Sequence, residues 1–227
     1  MFPRATVEVE VSIPGSDTYW VPRPSDVDEE GFGDFRGVWP IMNATTRLAA
    51  SVLASERVAA AYVDAHASTP TEFEELASEL ENFDPTVDET EATESNLSLG
   101  DEWIGLEGLE LGVAGLTYAL SNAGLYPAAS CRSHQRENSW SPNPVVVFAG
   151  DKPRVLLLES LVRESSCGLQ ADYTRGDFLF VYAPSIRETM ALATRLYDSR
   201  GAFRSLPKTA RKHSPRRVPR DPPAMLF

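Results

Sequence analysis

The order of seven patterned segments between residues 106 and 199 constrains the fold of this chain more than any other feature. Three have apolar residues three or four positions apart, as in helices, and four are short apolar runs typical of strands. The helices are predicted at 106–124, 152–168 and 184–199, and the strands at about 125–131, at 144–149 and on both sides of a turn at 174–177. Segment 152–168 also contains a Val-Leu-Leu-Leu run that a strand would explain, but the helix is favoured.

The resulting order is helix, strand, strand, helix, strand, strand, helix. Such an order folds most simply into an α+β two-layer sandwich, with the helices on one face of a four-stranded mixed or antiparallel sheet. The ferredoxin-like arrangement is the nearest familiar plan. This comparison concerns architecture and implies no function.

The first half of the chain predicts extensions that precede the sandwich. Residues 6–13 alternate polar and apolar side chains, which indicates a half-buried strand. An irregular arm follows and is expected to pack through its aromatic residues Trp20, Phe32, Phe35 and Trp39.

A helical hairpin is predicted next. Its first helix runs from about residue 44 to 66 with Asn43 as the cap, and its second opens with a capping box formed by Thr71 and Glu74.

These patterns divide the chain into five predicted parts. They are a strand and irregular arm (1–43), the helical hairpin (44–83), an acidic linker (84–101), the α+β sandwich domain (102–200) and a basic, Pro-containing C-terminal arm (201–227).

Charge is distributed unevenly along a chain whose net charge is −12. No Lys or Arg occurs between Arg57 and Arg132, whereas fifteen Asp and Glu do. Residues 200–221, in contrast, contain eight Lys and Arg and one acid. The sequence therefore predicts an acidic body with a basic tail, and the acidic run from Glu72 to Glu102 is interpreted as a solvated face or as a surface for a basic partner.

The sequence also predicts where the protein resides. No apolar stretch approaches the roughly 18 residues of a membrane span, and the N-terminus lacks the pattern of a secretion signal. The two cysteines cannot form a disulfide framework. We therefore expect no membrane association and a reducing, cytoplasmic location.

The segment "CRSHQR", residues 131–136, contains the main candidate site. If the backbone stays extended, Arg132, His134 and Arg136 project to one side and form a cationic spot for an anion or an acidic partner segment. A Cys131 nucleophile with His134 as its base is an alternative. No metal is predicted, because no second Cys/His pair completes four ligands; Cys131, His134 and Cys167 are the candidate ligands if one binds.

The basic tail is expected to be an extended arm, because it contains several prolines and no apolar period. It is interpreted as solvated, as docked on an acidic protein surface such as residues 72–102, or as a contact for nucleic acid. The residues proposed for partner binding are Arg204, Lys208, Arg211, Lys212, Arg216, Arg217 and Arg220.

These features favour a non-enzymatic accessory or adaptor subunit over an enzyme. No Walker motif, nucleophile elbow, zinc-protease helix or dinucleotide fingerprint is present, and no cofactor is expected. The acidic helical region and the extended arms would contact a larger protein partner or a second copy. The alternatives are an enzyme or small-anion-binding domain that uses the Cys131–Arg136 loop, and nucleic-acid contact through the tail.

Overall fold

The computed structural model of the chain describes most of the predicted helical hairpin and most of the predicted sandwich domain. The described residues are 2–12, 15, 19–23, 26–29, 31–32, 35–36, 41–82, 103–134, 139–172 and 178–207. The predicted acidic linker, residues 84–101, lies outside them. No helix in this part of the chain is long and apolar enough to cross a membrane.

The centre of the protein is a four-stranded antiparallel sheet. Its strands are β4 (Tyr126–Cys131), β5 (Val145–Ala149), β6 (Gly168–Asp172) and β7 (Phe178–Tyr182), in the order β4-β5-β7-β6. Because β7 pairs antiparallel with both β5 and β6, the latter two run parallel with β7 between them. The sheet keeps the strand order of the ferredoxin-like arrangement, but β4, which would be its last strand, comes first in this chain.

Three helices cover one face of the sheet. They are α3 (Ala114–Asn122), α4 (Lys152–Glu164) and α5 (Ile186–Asp198), and their buried apolar side chains pack against alternate strand residues such as Val146, Phe148 and Val181. The predicted element order and the α+β sandwich are confirmed. Segment 152–164 is a helix, as favoured, and the Asp151 side chain caps it by accepting from the Arg154 amide.

The other face of the sheet is covered by the N-terminal arm. Trp20 and Phe32 are buried against Phe178, with ring centroids 5.4 and 5.5 Å from it. All five residues of β5 are buried because both faces of the strand are covered. Phe32 lies in a small antiparallel sheet of β1 (Val27–Asp28), β2 (Gly31–Phe32) and β3 (Phe35–Arg36). The predicted packing of Trp39 and of the Phe35 side chain falls outside the described residues.

The predicted N-terminal strand is an extended segment beside the edge of the sheet. Residues 5–12 alternate between half-buried and exposed, as the sequence pattern predicts. Val11 forms an isolated parallel bridge with Leu169, whose amide donates to the Glu10 carbonyl at 2.9 Å. The segment therefore covers part of the free edge of β6.

The helical hairpin consists of α1 (Thr46–His66) and α2 (Pro70–Glu81), and both predicted caps are wrong. Thr45 caps α1, whereas Asn43 has a positive φ of 56°. The capping box of α2 is formed by Thr69 and Glu72 instead of Thr71 and Glu74. The proline after Thr69 favours this start, because the first position of a helix needs no backbone N–H donor.

The hairpin packs on the helical layer of the sandwich. Buried residues of α1 and α2, among them Val52, Ala59 and Phe73, share an apolar cluster with Tyr118 of α3 and Ile186 of α5. The helices of the sandwich therefore lie between the sheet on one side and the hairpin on the other.

Two element boundaries differ from the prediction. Helix α3 begins at residue 114 rather than 106, because Gly105, Gly108 and Gly112 all have positive φ and the chain turns there. The predicted extended arm from residue 201 begins as a short helix, α6 (Arg200–Ser205), whose Phe203 is buried in the core. Residues 208–227 of the predicted arm lie outside the described residues.

Candidate functional site

The chemically interesting side chains of the predicted loop lie at the end of β4. Cys131 is the last residue of the strand, and Ser133 has a positive φ of 74°, so the chain turns directly after it. Helix α2 and the turn region 103–113 supply the acidic residues that contact this end of the strand. Three separate parts of the sequence therefore meet here.

Arg132 is buried between two carboxylates. Its side chain is 0% exposed and donates two hydrogen bonds to Glu74, at 2.7 and 3.2 Å, and two to Glu81, at 2.5 and 3.2 Å. Its guanidinium also lies 5.6 Å from the centroid of the Phe73 ring. The anions that Arg132 meets are thus provided by α2 of its own chain.

His134 bridges two carboxylates, Glu74 and Glu110. Its Nδ1 lies 2.7 Å from Glu74 Oε1, and its Nε2 lies 2.8 Å from Glu110 Oε1. Burial lowers the pKa of His134, but the two hydrogen bonds outweigh it and hold this pKa above its ordinary value. Arg136, the third predicted cation, lies outside the described residues, so binding of an external anion stays a prediction.

The two carboxylates of α2 that contact Arg132 have pKa values shifted in opposite directions. Burial raises the pKa of Glu74, but contacts with Arg132 and His134 outweigh it and leave the pKa below the usual value. For Glu81, burial dominates over Arg132 and raises the pKa. Glu81 also accepts from the Leu111 amide at 2.8 Å. This carboxylate therefore ties the end of α2 to the turn before α3.

Cys131 is a buried thiol. Burial raises its pKa, and the negative charge of Glu110 adds to the effect. The Ser133 amide donates to its sulfur at 3.4 Å. A raised pKa disfavours the thiolate that a cysteine nucleophile requires.

The structure brings Cys131 and His134 together with Glu110. One ligand atom from each of the three side chains lies within 4.8 Å of the others. Cys167, the third candidate ligand, lies at the far side of the sheet. Cys131 is opposite Val145, which pairs with Tyr182, which pairs with Gly168, so Cys167 is about 14 Å away across three strand spacings.

Cys167 instead belongs to the core on the helical face. Burial raises the pKa of its thiol to about 12, and the sulfur lies 3.5 Å from the Glu188 carbonyl. It is therefore a packing residue in this structure.

Of the seven tail residues predicted to bind a partner, the structure describes only Arg204. Arg204 Nε donates to the Asn122 carbonyl at 3.2 Å, so it caps the end of α3. The other six tail residues named above lie outside the described residues, and their contact with a partner or with nucleic acid stays a prediction.

Sequence reasoning missed the acidic half of this site. The sequence pattern places Glu74 in a helix cap, although Glu74 and Glu81 lie seven residues apart on the same face as buried Ala77. Acids on the apolar face of a helix indicate a buried cation, and Arg132 is the first positive residue after the long stretch without any.

A second buried carboxyl lies on α1. Glu56 is 1% exposed and accepts hydrogen bonds from the amides of Gly112 and Gly115, at 2.9 and 3.1 Å. Burial raises its pKa to about 7 despite these donors. Glu56 thus satisfies amides at the start of α3 that lack partners within the helix.

Comparison with known protein families, with curated proteins and with solved structures finds no match for this chain.

Proposed function

We propose that this protein is a non-enzymatic accessory or adaptor subunit that binds a larger protein partner through its acidic helical region and its extended arms. The observation that carries the proposal is the two-sided character of α2. Its inner face is fixed to the sandwich by Glu74 and Glu81, whereas its outer face presents exposed Glu72, Glu75 and Glu79.

The spacing of the outer acids supports a surface of defined shape. Residues three, four and seven positions apart lie on one side of a helix, so these three carboxylates form a single stripe. Because the buried Arg132 contacts hold the helix, a partner with basic side chains would meet the stripe without ordering it first. The stripe leads in sequence into the acidic segment that ends at Glu102.

The chemistry of the loop after β4 also favours a binding role. Arg132 and His134 are paired with carboxylates of the same chain, and the pKa of the Cys131 thiol is raised. These contacts hold the hairpin on the sandwich.

The proposed location is the cytoplasm. Cys131 and Cys167 are both free and buried, which is ordinary for a protein kept in a reducing compartment.

Charge reversal on the stripe tests the proposal. Glu75→Lys with Glu79→Lys keeps the capping residue Glu72 and changes the charge of the outer face. The matched control is Glu164→Lys with Asp198→Lys, which makes the same change at exposed positions of α4 and α5. Each protein is purified from its native cells at native expression, and the recovered partners are quantified by mass spectrometry.

We expect the wild type and the control to recover the same partner and the stripe variant to lose it. Sedimentation of the purified complex should give a defined stoichiometry, with a second copy of the chain as one accepted partner. Equal recovery by all three proteins, or a monomer with no stoichiometric partner, would refute the proposal.

A further inference from the structure

We propose that Glu110, Cys131 and His134 bind a single zinc ion at the end of β4, with a fourth position open to solvent. This inference is independent of the proposed partner surface, which lies on the opposite face of α2. It rests on three side chains of suitable type whose ligand atoms lie within 4.8 Å of one another.

The chemistry of the three ligands selects the metal. A thiolate, an imidazole and a carboxylate form a mixed set that suits Zn²⁺, whereas Ca²⁺ and Mg²⁺ prefer sets of oxygen ligands. Three protein ligands with one further position is a common zinc arrangement. In a tetrahedral site the ligand atoms lie about 3.2 to 3.6 Å apart. His134 Nε2 and Glu110 Oε1 are 2.8 Å apart, so metal binding has to separate these two atoms by about 0.5 Å and bring the sulfur, now within 4.8 Å of them, closer.

Each ligand is oriented by a second contact on its far side. His134 Nδ1 pairs with Glu74, which directs Nε2 toward Glu110. The other oxygen of Glu110, Oε2, accepts from the Arg132 amide at 2.6 Å. In zinc sites, the second ring nitrogen of a ligating histidine commonly pairs with a carboxylate, and a ligating carboxylate commonly accepts a further hydrogen bond.

The sulfur of Cys131 has an outer contact of its own. The Ser133 amide donates to it at 3.4 Å. An N–H donor stabilises the negative charge that the sulfur acquires when it binds a metal.

The site is accessible to an ion from solvent. Cys131 is buried, whereas the side chains of His134 and Glu110 are 24% and 31% exposed, so solvent reaches the site from one side. A metal is bound by the thiolate and by an unprotonated imidazole nitrogen, so zinc binding releases protons to solvent.

Cobalt substitution of the full-length protein provides a specific test. The purified chain is stripped with a chelator and titrated with Co²⁺, whose thiolate complexes show a strong near-ultraviolet charge-transfer band. The band reports on a sulfur ligand, so it separates this site from the many surface carboxylates of an acidic protein. We expect the band to saturate at one equivalent and to disappear when Zn²⁺ is added.

Variants identify the ligands. Cys131→Ser should abolish the band, while Cys167→Ser retains it, because Cys167 lies across the sheet. His134→Gln and Glu110→Gln should lower the Zn²⁺ affinity at least about 10-fold in competition with a chromophoric chelator. Glu107→Gln, at an exposed residue of the same turn region, is the matched control and should bind as the wild type does.

Circular dichroism of each variant shows whether it is folded. If a ligand variant does not fold, the wild type and Cys167→Ser still decide the question. A folded wild type that gives no saturable band overturns the proposal, and so does a band that persists in Cys131→Ser.

Discussion

Arg132 and Glu74 form a bidentate salt bridge between the end of strand β4 and helix α2 of the hairpin. The guanidinium donates to both oxygens of the carboxylate, at 2.7 and 3.2 Å, across 58 residues of sequence. Two parallel N–H···O bonds fix both distance and orientation. This contact, repeated on Glu81, attaches the hairpin to the sandwich through charges that are almost entirely removed from water.

Replacement of Arg132 by Met is expected to destabilise the protein strongly. The change removes the cation that the buried carboxylates of Glu74 and Glu81 share, and loss of one partner of a buried ion pair typically costs about 3–5 kcal/mol. The free energy of unfolding from urea titration measures the effect. Arg195→Met is the control, since Arg195 pairs with Glu164 at exposed positions and its loss should cost no more than about 1 kcal/mol. Equal losses in the two variants would contradict the structural role of Arg132.

The element order of the sandwich could be predicted because it depends on local patterns. A period of two or of about 3.6 marks strands and helices wherever one face of the element is buried. The cap of α2 was harder to predict, because Thr69 with Glu72 and Thr71 with Glu74 both fit the capping-box spacing. The proline between the two threonines decides for the first, and this choice leaves Glu74 free to face Arg132.

The site could be located from sequence but its partners could not. Arg132 and His134 attract attention because they end a long stretch without basic residues. Their carboxylates come from positions 22 to 60 residues away, and only the packing of the hairpin brings these together. Phe203 was missed for a related reason, because a single buried aromatic in a basic segment forms no pattern.

Gly112 is predicted to tolerate replacement less well than Gly108, another glycine of the turn before α3. It has a φ of 88°, and an added Cβ would lie 2.2 Å from Ile186 Cβ, so Gly112→Ala combines backbone strain with steric overlap. Because the strain and the overlap add, we expect a loss of about 3 kcal/mol or more in the free energy of unfolding. Gly108→Ala is the matched control, because its φ is 73° but the space around it is open. That variant should lose only about 1–2 kcal/mol, and a smaller loss at Gly112 than at Gly108 would be inconsistent with the packing described.

Phe203 is predicted to stabilise the sandwich although it lies beyond the last patterned helix. It is 0% exposed in the core with residues such as Leu196 and Val155, so Phe203→Ala should cost about 3–5 kcal/mol. Leu156→Ala is the control, since Leu156 is 44% exposed and its truncation should change stability by less than about 0.5 kcal/mol. Thermal and urea unfolding measure both. A loss for Phe203→Ala no larger than for the control would show that α6 is not part of the core.

Glu56 is predicted to make stability fall as pH rises through the weakly acidic range. Its pKa is about 7 in the folded protein and 4.5 in an ordinary glutamate, so between these values the folded state retains a proton that the unfolded state has lost. A folded state that binds more protons loses stability with increasing pH. The shift corresponds to about 3 kcal/mol, lost between pH 4.5 and 7 and constant above the folded pKa.

Glu56→Gln isolates this contribution, because glutamine keeps an oxygen acceptor for the Gly112 and Gly115 amides and does not titrate. Subtraction of the variant's urea-derived unfolding free energy from that of the wild type, at each pH, removes the other titrating groups. We expect the unfolding free energy of the wild type, relative to that of the variant, to decrease by about 3 kcal/mol as the pH rises through this range. A difference that stays constant with pH would mean that Glu56 is ionised in the folded protein, and that the helix-start amides compensate fully for its burial.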